Sequence, residues 1–212
     1  MTSYEPVSAV RPGSYRFAAS SGPWLFAALA MAAVSSTNLI DFGVEHLRNQ
    51  IFDASSALSW SHHADAAALA VGAVVSLLGA WRSAGQRRLW APLATILALL
   101  FLSEVSSLHA HVDQLSYGKL LYAPVLMILV MCVWRLATCT DQVIVFRAAL
   151  ATLFVSYVMH SFGPHVVHAL GWGTDSWAYQ VKVGLKEGTE LAGLVLALSA
   201  LCRLASRLPA RG

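Results

Sequence analysis

The sequence predicts an all-α, polytopic membrane bundle of six transmembrane helices with both termini cytoplasmic. Three observations carry that expectation. Hydrophobic residues make up 57% of the 212 residues and charged residues 12%, about half the charged share of a soluble chain, and mean hydropathy is +0.61. Six apolar runs approach the roughly 20 residues that cross a hydrocarbon layer. The basic residues gather on alternate links between those runs. Such a composition excludes a soluble globular domain, a disordered chain and a disulfide scaffold. A net charge of +3 gives no reason to expect a nucleic-acid partner; the expected partner is the lipid bilayer.

The runs are Leu-, Ala- and Val-rich without strict alternation, so they read as helices and not barrel strands. The first covers about 24–40, the second 64–81, the third 89–108, the fourth 120–136, the fifth 143–162 and the sixth 179–204. This divides the chain into an N-terminal arm (1–21), a transmembrane domain (22–206) and a short tail (207–212). The first run resembles a signal peptide, but its helical pattern continues through Asn38, Asp41 and Glu45, so it is expected to be retained. Ser61 is the expected N-cap of the second helix. Gly163 and Pro164 are expected to break or bend the fifth.

Arg11, Arg16, Arg82, Arg87, Arg88, Arg135, Arg147, Arg203, Arg207 and Arg211 fall on one side, ten of the fourteen basic residues. The positive-inside rule makes that side cytoplasmic. Cys132, Cys139 and Cys202 lie at or near it, where thiols stay reduced. Trp24, Trp60, Trp81, Trp90, Trp172 and Trp177 lie near helix ends, as an interfacial belt does.

The ionisable residues divide unevenly under this topology. All eight histidines and nine of the eleven acids fall on the outer half. Charges in or near a span are costly and mark function by default. Asp41 and Glu45 share the face of Asn38 on the first helix. His62 and His63 open the second and read as solvated, with Asp65 one turn from His62. The third brings Glu104, Ser107, His109 and His111. The fifth ends in His160, followed by His165 and His168. The sixth carries Lys186, Glu187 and Glu190, with Lys186 and Glu190 spaced for an i,i+4 ion pair. Gly184, Gly188 and Ala192 on the sixth, and the many small residues of the second, suit close helix packing.

Mixed His and carboxylate groups are ligands for zinc, iron or copper. The expected ligands are Glu104, His109, His111, His160, His168, Glu187 and Glu190. Asp41, Glu45, Ser107, His165 and Lys186 stand behind them or balance charge. A bound metal would activate water or cycle electrons in a membrane-embedded enzyme acting on a lipid-like or quinone-like molecule. A second expectation is a non-enzymatic membrane subunit or homo-oligomer whose polar cluster binds a partner, an ion or a proton. A third is a b-type haem between two outer histidines. No hydrolase, zincin, P-loop or dinucleotide motif is present.

The stretch Phe101-Leu-Ser-Glu104-Val-Ser-Ser-Leu-His109, with Lys186-Glu187-Gly188-Thr-Glu190-Leu-Ala-Gly193, resembles six-span bacterial integral membrane proteins. Those tend to read S-x-D-E-x-x-S-x-H-E in the third span and E-E-x-x-E-x-x-G in the last. The resemblance runs from about Ile51 onward and implies a bacterial plasma membrane, but no named activity. Here Ser103 and Ala110 stand in place of acids and Lys186 in place of Glu, leaving Glu104, His109, Glu187 and Glu190 as the matching positions.

Overall fold

A computed structural model describes residues 21–44, 50–56, 58–83, 85–106, 118–138, 142–171, 173 and 176–208. Among the described residues six helices follow one another: α1 (Gly22–Gly43), α2 (Trp60–Arg82), α3 (Arg87–Val105), α4 (Gly118–Thr138), α5 (Val143–Ala169) and α6 (Trp177–Ser206). Among the described residues there is no strand. Five helices are long and apolar enough to cross a membrane; in α4 the described apolar stretch is the shorter Met127–Leu136. An apolar segment in lipid has no water to satisfy its peptide groups, so it makes every backbone bond within itself. That is why each apolar run is a helix.

Packing forms a circuit. α2 packs on α3, α3 on α4, α4 on α5, α5 on α6 and α6 back on α2, while α1 lies against α6. Small residues make the close approaches. A Cβ at Gly188 would stand 2.9 Å from the Met31 carbonyl oxygen, and one at Gly184 would stand 3.2 Å from Ser35 Cα, so the small face of α6 receives α1. Gly79 of α2 lies under the indole of Trp90, where a Cβ would meet ring carbons at 2.5 Å.

Three expectations about helix ends are corrected. Helix α2 starts earlier, and its N-cap is Ser59, not Ser61; the Ser59 side chain accepts from the His62 amide, and its hydroxyl lies 3.0 Å from that of Ser61. Helix α5 continues through Gly163 and Pro164 to Ala169. Proline removes one i→i−4 bond there, a loss that membrane helices tolerate. Helix α3 ends at Val105, before the expected Leu108. One belt assignment also fails. Trp90 is 1% exposed, wedged between α2 and α3, because the glycine opposite leaves a slot for an indole. Trp24, Trp81 and Trp177 are exposed at helix ends; Trp172 lies outside the described residues, as does Cys139.

The interior is divided by chemistry. Leu93 and Leu97 of α3, Leu136 of α4, Phe146 of α5 and Leu196, Ala200 and Leu201 of α6 form the main apolar core. These residues sit toward the start of α3 and α5 and the end of α6. The opposite end of the bundle holds Glu104, Glu187 and Glu190, whereas Arg82, Arg87, Arg88, Arg147 and Arg203 lie at the end where this core packs.

Candidate functional site

The acidic end is assembled from four helices. The Ser59 cap fixes the first turn of α2, and from it His62 reaches α3. Its Nδ1 lies 2.7 Å from Glu104 Oε1, and its Nε2 lies 3.2 Å from the Glu104 carbonyl oxygen. Both ring nitrogens thus face oxygens of one residue. His62 is therefore not the solvated side chain expected from the sequence. It sits within the capped helix and packs against the last turn of α3, whereas its neighbour His63 is exposed and bonds back to the Ser59 carbonyl at 2.8 Å.

Helix α6 supplies a second ion-paired group. Lys186 Nζ donates to Glu187 Oε1 at 2.8 Å and lies 3.1 Å from Glu190 Oε2. The i,i+4 pair is present, and the adjacent Glu187 doubles it. Ser156 of α5, itself buried, donates to Glu190 Oε2 at 3.2 Å. At 1.5 Å per residue, Glu190 is about 20 Å along α6 from Trp177, and Ser156 about 20 Å back along α5 from Ala169. The two antiparallel helices thus meet at one depth.

Asp65 lies one turn after His62 on α2. It is 3% exposed, and its Oδ1 has no hydrogen-bond partner. Its carboxyl is within electrostatic reach of Glu190, Glu187, Glu104 and Lys186. Glu104, Glu187, Glu190 and Asp65 thus stand with His62 and Lys186, and with His160 and Lys182 within electrostatic reach. A buried polar oxygen without a partner costs about 1–3 kcal/mol.

A separate polar seam binds α1 to α6. Asn38, 2% exposed, donates to the Gln180 carbonyl at 3.0 Å and accepts from the Ala54 amide at 3.0 Å. Ser35 donates to the Gly184 carbonyl, and the Trp60 indole donates to Thr37. Asp41 is buried at the end of α1, beyond this seam. The polar residues of the first helix thus include a lock between helices.

The expected ligands are placed as follows. Glu104, Glu187 and Glu190 come to the same end of the bundle, with Lys186 among them. His160 is exposed and within electrostatic reach of Glu190. His165 and His168 are exposed on the last turns of α5. His109, His111, Ser107 and Glu45 lie outside the described residues. Among the described residues no group of three or more His, Cys, Asp or Glu side chains stands in a metal-holding arrangement. His62, Asp65 and Ser156 were absent from the expected set. The signal for Asp65 was present in the sequence: a lone acid among Ala64, Ala66, Ala67 and Ala68, where no long neighbour can screen it.

Fold and site together define a helical, lipid-compatible bundle with a charged cluster buried at one end and an apolar core filling the other. Compared with known protein families, curated proteins and solved structures, the chain finds no match.

Proposed function

We propose that this is a six-span integral membrane protein, termini cytoplasmic, whose outer polar cluster binds a proton or a small cation. The single observation that carries the reading is Asp65: a carboxyl 3% exposed, with an oxygen lacking a partner. Buried charge is retained where it is paired or where it binds something. His62 partners Glu104, and Lys186 partners Glu187 and Glu190; Asp65 is left to a ligand.

The binding is one-sided. Trp90, Leu93, Leu136, Phe146 and Leu201 pack the other end of the bundle, so the cluster reads as the floor of a binding site and not as a station on a path through the membrane. A receptor-like or regulatory subunit fits this better than a transporter, which needs access from both faces. Zinc, iron or copper chemistry on a lipid-like or quinone-like substrate is less favoured. The described cluster offers mainly oxygen donors, with His62 already engaged with Glu104, and soft or borderline metals prefer nitrogen and sulfur.

The test is ligand-dependent stability. A ligand at 100 times its dissociation constant stabilises the folded state by about 2.7 kcal/mol. Purified wild type is expected to melt at a higher temperature as a small cation or protons are added, and Asp65→Asn is expected to lose that response. A melting temperature that neither cations nor pH moves would refute the reading.

A further inference from the structure

Arg147 faces outward from the bundle, which is uncommon for a charge within a span; such side chains almost always face the interior. It is exposed on α5, on one helical face with Ile144 before it and Ala151, Phe154 and Val155 after it, all of them exposed. Apolar residues thus flank the guanidinium on both sides along the helix. Every described acid lies on the other half of the bundle, and no described carboxylate forms an ion pair with Arg147.

The contact that Arg147 does make is aromatic. Its guanidinium carbon lies 5.2 Å from the centroid of the Trp134 ring on α4, a cation–π distance. Trp134 is four residues before the end of α4 and Arg147 four residues after the start of α5, so each stands about 6 Å beneath its helix end, at one depth. Trp134 in turn heads an exposed apolar stripe of Met127, Val130 and Met131, whose spacing puts all four on one face of α4. Two exposed apolar stripes on neighbouring helices therefore run from one cation toward the bilayer centre, each about 10–12 Å long. Half of a hydrocarbon layer is about 15 Å, so the stripes match the acyl chains of a lipid in one leaflet. Arg135, beside Trp134, is exposed at the same end.

Resting only on the membrane-spanning part of the reading above, we propose that the α4–α5 face binds an anionic phospholipid, its phosphate on Arg147, its headgroup toward Arg135 and its chains along the two stripes. Charge complementarity selects this occupant. A zwitterionic headgroup brings its own cation to a place that already has two arginines and no described acid, whereas an anionic one does not. The forked N–H donors of Arg147 suit a phosphate, and basic sites between helices at the cytoplasmic side of membrane bundles take such headgroups.

The experiment uses the full chain in vesicles, with brominated acyl chains quenching tryptophan fluorescence. The Trp134 signal is the difference between a chain and its Trp134→Phe counterpart. Brominated phosphatidylglycerol is expected to quench Trp134 at about a fivefold lower mole fraction than brominated phosphatidylcholine, the factor that one arginine near a membrane surface supplies. Arg147→Gln is expected to bring the two lipids level, while Arg82→Gln, at the same end but on α2, keeps the preference. Equal quenching by both lipids in wild type, or a preference that survives Arg147→Gln, overturns the site. Equal loss in Arg82→Gln makes the preference a diffuse surface-charge effect and also overturns it. Excess inorganic phosphate should act no differently from chloride of equal ionic strength; a loss specific to phosphate would assign Arg147 to the free ion and overturn the lipid. If neither lipid quenches Trp134, this face does not meet lipid, and the membrane-spanning reading fails with the proposal. Should Arg147→Gln not fold, wild type beside Arg82→Gln decides.

Discussion

At the scale of single residues, Asp65 and His62 separate binding from stability. A carboxyl buried with an unpartnered oxygen pays for no contact that Asn would forfeit. Asp65→Asn is therefore expected to leave the melting temperature in detergent unchanged or raised, while abolishing the cation response. A fall of several degrees would instead make Asp65 a helix lock. His62 is the opposite case. Its imidazole meets Glu104 through both nitrogens, so His62→Ala strands a partly buried carboxylate and is expected to cost about 1–3 kcal/mol. His63→Ala, at an exposed position on the same turn, is the control and should change stability little; equal losses at the two positions would contradict the His62–Glu104 pairing. The roles of these two histidines were not legible in the sequence. His62 precedes the apolar run of α2, where a loop and a capped first turn have the same composition. Only the Ser59 cap, a tertiary and local detail, places it inside the helix.

At the scale of helices, the positions of the spans were legible and their terminations were not. A run of some 20 apolar residues admits one solution in lipid; five of the expected segments fall on helices long and apolar enough to cross a membrane, and the fourth falls on α4, whose described apolar stretch is the shorter Met127–Leu136. Helix ends depend on caps and neighbours. α5 continues past Gly163 and Pro164 although both residues disfavour helix, and that continuation carries His165 and His168 to exposed positions away from the carboxylates. Glycine packing was partly legible: small-xxx-small spacing announced a close approach on α6, but not that α1 is what it receives. Trp90 was misread because its slot is made by Gly79, eleven residues away. Two substitutions test this packing. Gly79→Ala drives a methyl to 2.5 Å from the Trp90 ring, and Gly188→Ala drives one to 2.9 Å from the Met31 carbonyl oxygen. Each is expected to destabilise by about 1–3 kcal/mol in thermal melts. Gly22→Ala and Gly85→Ala, where a Cβ meets nothing within 4 Å, should be tolerated; four equal outcomes would contradict the described approaches.

At the scale of the molecule, the proposed orientation puts the end bearing the acidic cluster outward and the arginine-bearing end in the cytoplasm. Ser55, between α1 and α2, and Gly85, between α2 and α3, are both exposed and lie at opposite ends of the bundle. Single cysteines at these positions in a chain with Cys132, Cys139 and Cys202 replaced should label from opposite sides of intact cells or spheroplasts. Ser55→Cys is expected to react with an impermeant maleimide from outside, and Gly85→Cys only after permeabilisation. The reverse pattern would invert the topology and place the cluster at the cytoplasmic face. The convergence of Glu104, Glu187 and Glu190 at one end follows from helix direction alone, since alternate helices end on the same side. Their sorting into a His62–Glu104 pair and a Lys186-centred pair depends on which helices are neighbours, and no periodicity encodes that.

The central claim is that this cluster holds a cation and does more than lock helices. Thermal melts of purified wild type beside Asp65→Asn, taken across pH and across added monovalent and divalent cations, test it most directly. Wild type is expected to melt higher as protons or one of those cations are added, and Asp65→Asn to lose that response. A melting temperature that none of them moves, or equal responses from wild type and variant, would contradict it.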